Sequence, residues 1–191
     1  MIRKQTWILL AVFALAVAFA VFMEKNPEFL QSDGDLTPSP TSQAMMLEGW
    51  QSNEITWIEF QDDQNNVLRI LQNPEGKWIL DSDNGDAVNV GVVEEIRSQL
   101  TAAKTTVFLD PGYDLEVIGL STPSSTIKIR NESGRESIIL IGKTTPTQNG
   151  YYVKVDDSAP AVVSKFAIED IIGKLKRDQL ISLETFPTPQ P

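Results

Sequence analysis

The residues able to do chemistry in this chain are carboxylates, lysines, hydroxyls and aromatic rings, because the 191-residue sequence contains no histidine and no cysteine. That absence removes the commonest general base, the commonest zinc ligand and every Ser-His-Asp or Cys-His mechanism. It also removes disulfides, thiolate metal sites and a lipid-modified N-terminal cysteine. What remains is a set of acids and rings whose spacing has to be weighed one group at a time.

Two pairs of adjacent acids, Asp62-Asp63 and Asp156-Asp157, are the first group. Paired carboxylates can hydrolyse glycosides when they face each other across a cleft at roughly 5–10 Å. Both pairs fall in polar stretches between strand-like runs, where aspartate is a turn former. No catalytic residue is assigned.

Gly142-Lys143-Thr144-Thr145 carries the closing letters of a phosphate-binding loop. The required earlier glycine is replaced by Ser137, and residues 138–141 are a stiff apolar run rather than a glycine-rich cradle. A strand end and its turn are expected, with no nucleotide and no cofactor. Residues 81–86 (DSDNGD) resemble a calcium loop, but the glycine is fifth instead of sixth and the twelfth position is Val92 instead of glutamate. A solvated strand-to-helix loop is expected, a weak irregular calcium site is the alternative, and no metal ligand is assigned.

The rings form the last group. Trp57 and Trp78 lie inside strand-like runs and are expected in the core, while Trp50 and Tyr113 are further members of a possible sugar- or peptide-binding platform. Tyr151 and Tyr152 are adjacent within a strand, so their rings point to opposite faces. One of them should be exposed, and together they are the expected partner surface.

The elements that position these groups follow from periodicity. Residues 55–60, 67–71 and 77–80 read as a three-stranded meander with turns at 61–66 and 73–76. A helix is expected over 90–103, with Asn89 as its N-cap, Val92, Val93, Ile96, Leu100 and Ala103 on one face, Glu94 and Glu95 near its start and Lys104 at its end. Strands at 105–109, 125–130, 136–141, 151–155 and 161–164 follow, with a short helical turn over 114–118. A closing helix is expected over 166–180. Strands clustered in meanders, with two packing helices, imply an α+β domain with a mostly antiparallel sheet.

Residues 7–23 (WILLAVFALAVAFAVFM) carry no charge, proline or glycine, enough for a minimal membrane-spanning helix. Arg3 and Lys4 precede this stretch and no acid does. The positive-inside rule then puts residues 1–6 in the cytoplasm and everything after the anchor outside it. A cleavable signal peptide ending at Ala18-Phe19-Ala20 is the alternative, although the apolar run continues past that site; it gives the same placement. Residues 24–45 are a Pro-, Ser- and Asp-rich linker, 46–184 the domain and 185–191 (FPTPQP and its preceding residue) a disordered tail. Beyond Met23 the chain has 26 acids against 14 bases, since Arg3 and Lys4 lie before it. Such a surface repels nucleic acid.

With these elements in place the chain resembles the domain of unknown function DUF4340, a family of bacterial membrane-anchored proteins. The residues that carry the likeness are Gly76-Lys77-Trp78-Ile79-Leu80; Val93, Ile96 and Leu100 on the helix; Gly119-Leu120 with Pro123; and Leu140-Ile141-Gly142 leading to Gly150-Tyr151-Tyr152-Val153. Ile118 stands where the family often has an aromatic. The resemblance covers about residues 55–172, implies no catalytic residues, and for some members implies an accessory place in export or gliding systems. The expected function is that of a non-enzymatic, membrane-tethered binding or scaffold module of an envelope complex. Ligand capture (a glycan or peptide) and a carboxylate-based hydrolase are the alternatives.

Overall fold

A computed structural model describes residues 44–81 and 87–181. Within them, eight strands form one antiparallel sheet: β1 Ile55–Gln61, β2 Val67–Gln72, β3 Trp78–Leu80, β4 Thr105–Phe108, β5 Ser125–Asn131, β6 Glu136–Thr144, β7 Gly150–Val155 and β8 Ala161–Ser164. Three helices accompany them, α1 Val90–Ala102, α2 Lys165–Lys174 and α3 Arg177–Leu180. The fold is therefore α+β, as the clustering of strands requires. The strand order is β3-β2-β1-β5-β6-β7-β8-β4. Two meanders join through the β1–β5 pair, and the connection through α1 carries the chain from one edge strand, β3, to the opposite edge, β4.

Cross-strand register puts the branched apolar residues on one face. Ile58 lies opposite Ile70 and Ile129, Ile127 opposite Ile139, and Ile141 opposite Val153. These residues are fully buried in one cluster with Val93, Ile96 and Leu100 of α1 and Ile168 and Ile171 of α2. A bulge at Thr56 shifts the β1–β5 register, so Ile55 and Ile58 both reach this core although three residues apart. The same bulge corrects the expectation for Trp57: it is half-buried on the opposite face, while Trp78 is in the core as expected.

Asn89 caps α1 as expected, its side-chain oxygen accepting from the N–H groups of Gly91 at 3.0 Å and Val92 at 3.4 Å. Glu94 and Glu95 lie beyond the first turn of α1. They pair instead with Arg97 and Lys174. The single closing helix expected over 166–180 is two helices. Lys176 has extended backbone, φ −85° and ψ 143°, and the break lets both Leu175 and Leu180 reach the core. The helical turn expected over 114–118 is a non-helical set of hydrogen-bonded turns. There the Leu120 N–H reaches back to the Leu115 carbonyl at 2.8 Å, and Gly119 at φ +74° reverses the chain.

Residues 7–23, the linker up to residue 43, most of the 81–86 loop and the tail after Ile181 lie outside the described residues. Among the described residues no helix is long and apolar enough to cross a membrane.

Candidate functional site

Residues 44–50 cross the core face beside the helices and bind it through specific polar contacts. The Met46 N–H donates to the Ala103 carbonyl at 2.7 Å, and the Thr105 N–H donates to the Ala44 carbonyl at 2.9 Å. Trp50 is buried, and its indole N–H donates to Ser137 Oγ at 2.9 Å. The Arg135 guanidinium stacks 4.6 Å from the Trp50 ring centre and donates to the Gly49 carbonyl at 2.8 Å. This combination of stacking and hydrogen bonding suits arginine's planar group.

Between that segment and β4, β8 and β7 lies a groove of about 320 Å³. Its floor is apolar, with Val153, Val155 and Val163, and Met45 and Phe108 stand at its mouth, each about half exposed at 47% and 48%. Its rim is acidic, with Glu48 and the Asp156-Asp157 turn. Asp156 is held at φ +48°, and its Oδ1 accepts from the Ile138 N–H at 2.7 Å.

The groove opens beside an incompletely covered edge. β4 pairs with β8 on one side. On its other side only residues 44–46 reach it, at its first residue, among the described residues. Its following residues, Val107 and Phe108, are both exposed. Val107 lies opposite Val162, which lies opposite Tyr152, so an apolar line runs across β7, β8 and β4.

The adjacent tyrosines are thus separated. Tyr151 packs against the core cluster, and its hydroxyl donates to Glu169 at 3.4 Å. Burial, with the Glu169 charge and hydrogen bond, raises its pKa above the usual tyrosine value. Tyr152 is half-buried beside Val162.

The remaining sequence candidates are not brought together. Asp62 Oδ1 accepts from the N–H groups of Gln64 at 2.9 Å and Asn66 at 2.8 Å, closing the β1–β2 turn. The hydrogen bond from the Asn66 side chain, with these two, lowers its pKa. That turn lines a different cleft from the one holding Asp156-Asp157, so the two acid pairs share no site. Gly142, Lys143 and Thr144 belong to β6, and the Lys143 ammonium donates to the Val117 carbonyl at 3.1 Å. No group of three acids close enough to hold a metal occurs among the described residues. Trp57 carries the Arg130 guanidinium 4.5 Å from its ring centre, which occupies one ring face.

Two buried polar arrangements were not among the expectations from the sequence. Glu59 is buried on β1, 2.5 Å from Arg69 and 2.9 Å from Lys128, its direct neighbours on β2 and β5. Burial raises its pKa, but hydrogen bonds and charge from Lys128 and Arg69 outweigh that, and the net shift is downward. Arg97 is buried on α1, its Nε donating to the Ser52 carbonyl at 2.6 Å and its guanidinium 5.4 Å from the Trp78 ring centre. Its spacing one turn after Val93 was the available signal for Arg97.

Residues 78–178 match the family described as Domain of unknown function (DUF4340). That stretch is more than half of the chain, and the chain belongs to this family. No curated protein and no solved structure matches it.

Proposed function

We propose that this chain is a membrane-tethered, extracytoplasmic binding or scaffold module of an envelope complex, with no enzymatic role. The observation that carries the binding role is the apolar, acid-rimmed groove opening beside the exposed end of β4. Exposed apolar residues gathered at a groove and a strand edge are the features by which a domain takes a protein partner. The tether rests on the uncharged residues 7–23 with basic residues only in front of them, which favours a single-pass anchor with the acidic domain outside.

The alternatives have less support. A carboxylate-based hydrolase needs its acids to converge, and Asp62 and Asp156 are instead committed to backbone N–H groups in separate turns. Glycan capture needs free ring faces, and the Trp57 and Trp50 rings carry Arg130 and Arg135.

The test is fractionation of cells expressing the full chain, followed by affinity capture from detergent-solubilised membranes. The expected result is a membrane-bound chain whose acidic portion is cut by protease applied outside the inner membrane, and which recovers a discrete envelope partner. A chain found in the cytosolic fraction, or one that recovers no partner, overturns the reading.

A further inference from the structure

We infer that the occupant of this surface is an extended segment of a partner protein, apolar on alternate residues and carrying lysine or arginine, which adds as a strand along the edge of β4 that is uncovered among the described residues. The inference rests on the binding role proposed above and names the geometry and chemistry of the contact.

Three observations converge. First, β4 has backbone to offer: residues 44–46 pair with its start, while Val107 and Phe108 have no strand beside them on that side among the described residues. An edge of this kind is a template for an incoming strand. Second, apolar surface lies on both faces of that edge. Phe108 and Met45 belong to the groove, whereas Val107 continues the line of Val162 and Tyr152. Successive side chains of an added strand point to opposite faces, so its apolar set would meet the Val107, Val162 and Tyr152 line while its lysine- or arginine-bearing set faces the acid-rimmed groove. Third, the rim selects charge. Glu48, Asp156 and Asp157 stand at the groove, and its one basic residue, Arg135, is engaged by Trp50 and the Gly49 carbonyl. A basic segment is favoured there and an acidic one is repelled. The chain's own linker is a poor occupant by the same criterion, since residues 24–43 carry Glu24, Glu28, Asp33 and Asp35 against Lys25 alone.

The test uses the full-length chain in detergent micelles and two synthetic peptides, KVTVKV and EVTVEV. The Leu109 N–H donates to the Pro160 carbonyl of the β8 side at 2.7 Å, so the preceding Phe108 N–H points to the uncovered side. Hydrogen exchange reads that amide, and Trp fluorescence reads affinity. The inference expects the basic peptide to slow exchange at the Phe108 amide and to bind at least tenfold tighter than the acidic one. It expects Asp157→Lys and Phe108→Ser each to weaken the basic peptide at least fivefold without changing the melting temperature of the free protein. Equal binding of both peptides, absence of binding, or protection confined to another strand overturns it. So does protection of the Phe108 amide in the free chain that vanishes when residues 24–43 are deleted, because the linker would then be the occupant. A chain that captures an envelope partner yet ignores both peptides loses this inference and keeps the binding role.

Discussion

The carbonyl oxygen of Ile118 stands where a side chain on Gly142 would begin: a Cβ built there would lie 2.4 Å from it. The Lys143 N–H donates to that same carbonyl at 2.9 Å, so the 115–120 turn is fastened to β6 at the one point where β6 has no side chain. Ile118 and Leu120 are buried by this contact, outside the main core cluster. Gly119-Leu120 and Gly142, which contribute to the family likeness, are therefore two halves of one packing arrangement.

Gly142→Ala should lower stability by about 2–3 kcal/mol, because a backbone oxygen cannot move aside as a flexible side chain can. Gly150→Ala should act similarly, since its Cβ would meet Val162 Cγ1 at 2.6 Å and the Val163 carbonyl at 3.0 Å. Gly173→Ala is the control. It lies in α2 with nothing within 4 Å of the added carbon, and should gain about 0.5–1 kcal/mol from helix propensity. Denaturant unfolding of the three variants measures the contrast.

Glu59→Gln should cost about 2 kcal/mol at neutral pH, near the low end for a broken buried ion pair because Arg69 and Lys128 are partly solvated. Its folded pKa lies below the unfolded value, so its contribution is fully present above the ordinary glutamate value of about 4.3 and is lost as the pH falls through the lower, folded value. The stability difference between wild type and Glu59→Gln should shrink over that interval, as measured by urea titrations at successive pH values.

Asn89→Ala should cost about 1 kcal/mol by leaving the Gly91 and Val92 N–H groups without their acceptor. The loss should appear in thermal unfolding together with faster exchange of those two amides.

Ser137→Ala should cost about 1–2 kcal/mol and change the fluorescence of Trp50, because it leaves a buried indole N–H without its acceptor. Trp50→Phe removes donor and ring bulk together, and tests whether residues 44–50 stay on the sheet without that bond.

The strand order in the chain was legible because each strand alternates or runs apolar between polar turns; all eight are present near the expected positions. Asn89 was legible because a cap is a local interaction. The order of strands in the sheet was not, since pairing β1 with β5 joins residues about seventy positions apart and no local pattern encodes it. The break at Lys176 was hidden because the apolar spacing of Ile168, Ile171, Ile172 and Leu175 runs into Leu180 without a proline or glycine between Leu175 and Leu180. The groove was hidden for the same reason as the sheet order: Met45, Phe108 and the pair Val155 and Asp157 come from three separate parts of the chain. The alternation of Tyr151 and Tyr152 did not tell which ring is exposed, and both are half-buried; that Val162 and Val107 neighbour Tyr152 emerges only from the register.

The most direct test of the binding role is site-specific photo-crosslinking in cells producing the full chain, with the reactive residue at position 108 and, as a control, at position 75 in the exposed β2–β3 turn. The account predicts a discrete envelope-protein adduct from position 108 that is lost in the Asp157→Lys background and absent from position 75. Equal adducts from both positions, or none from position 108, would contradict it.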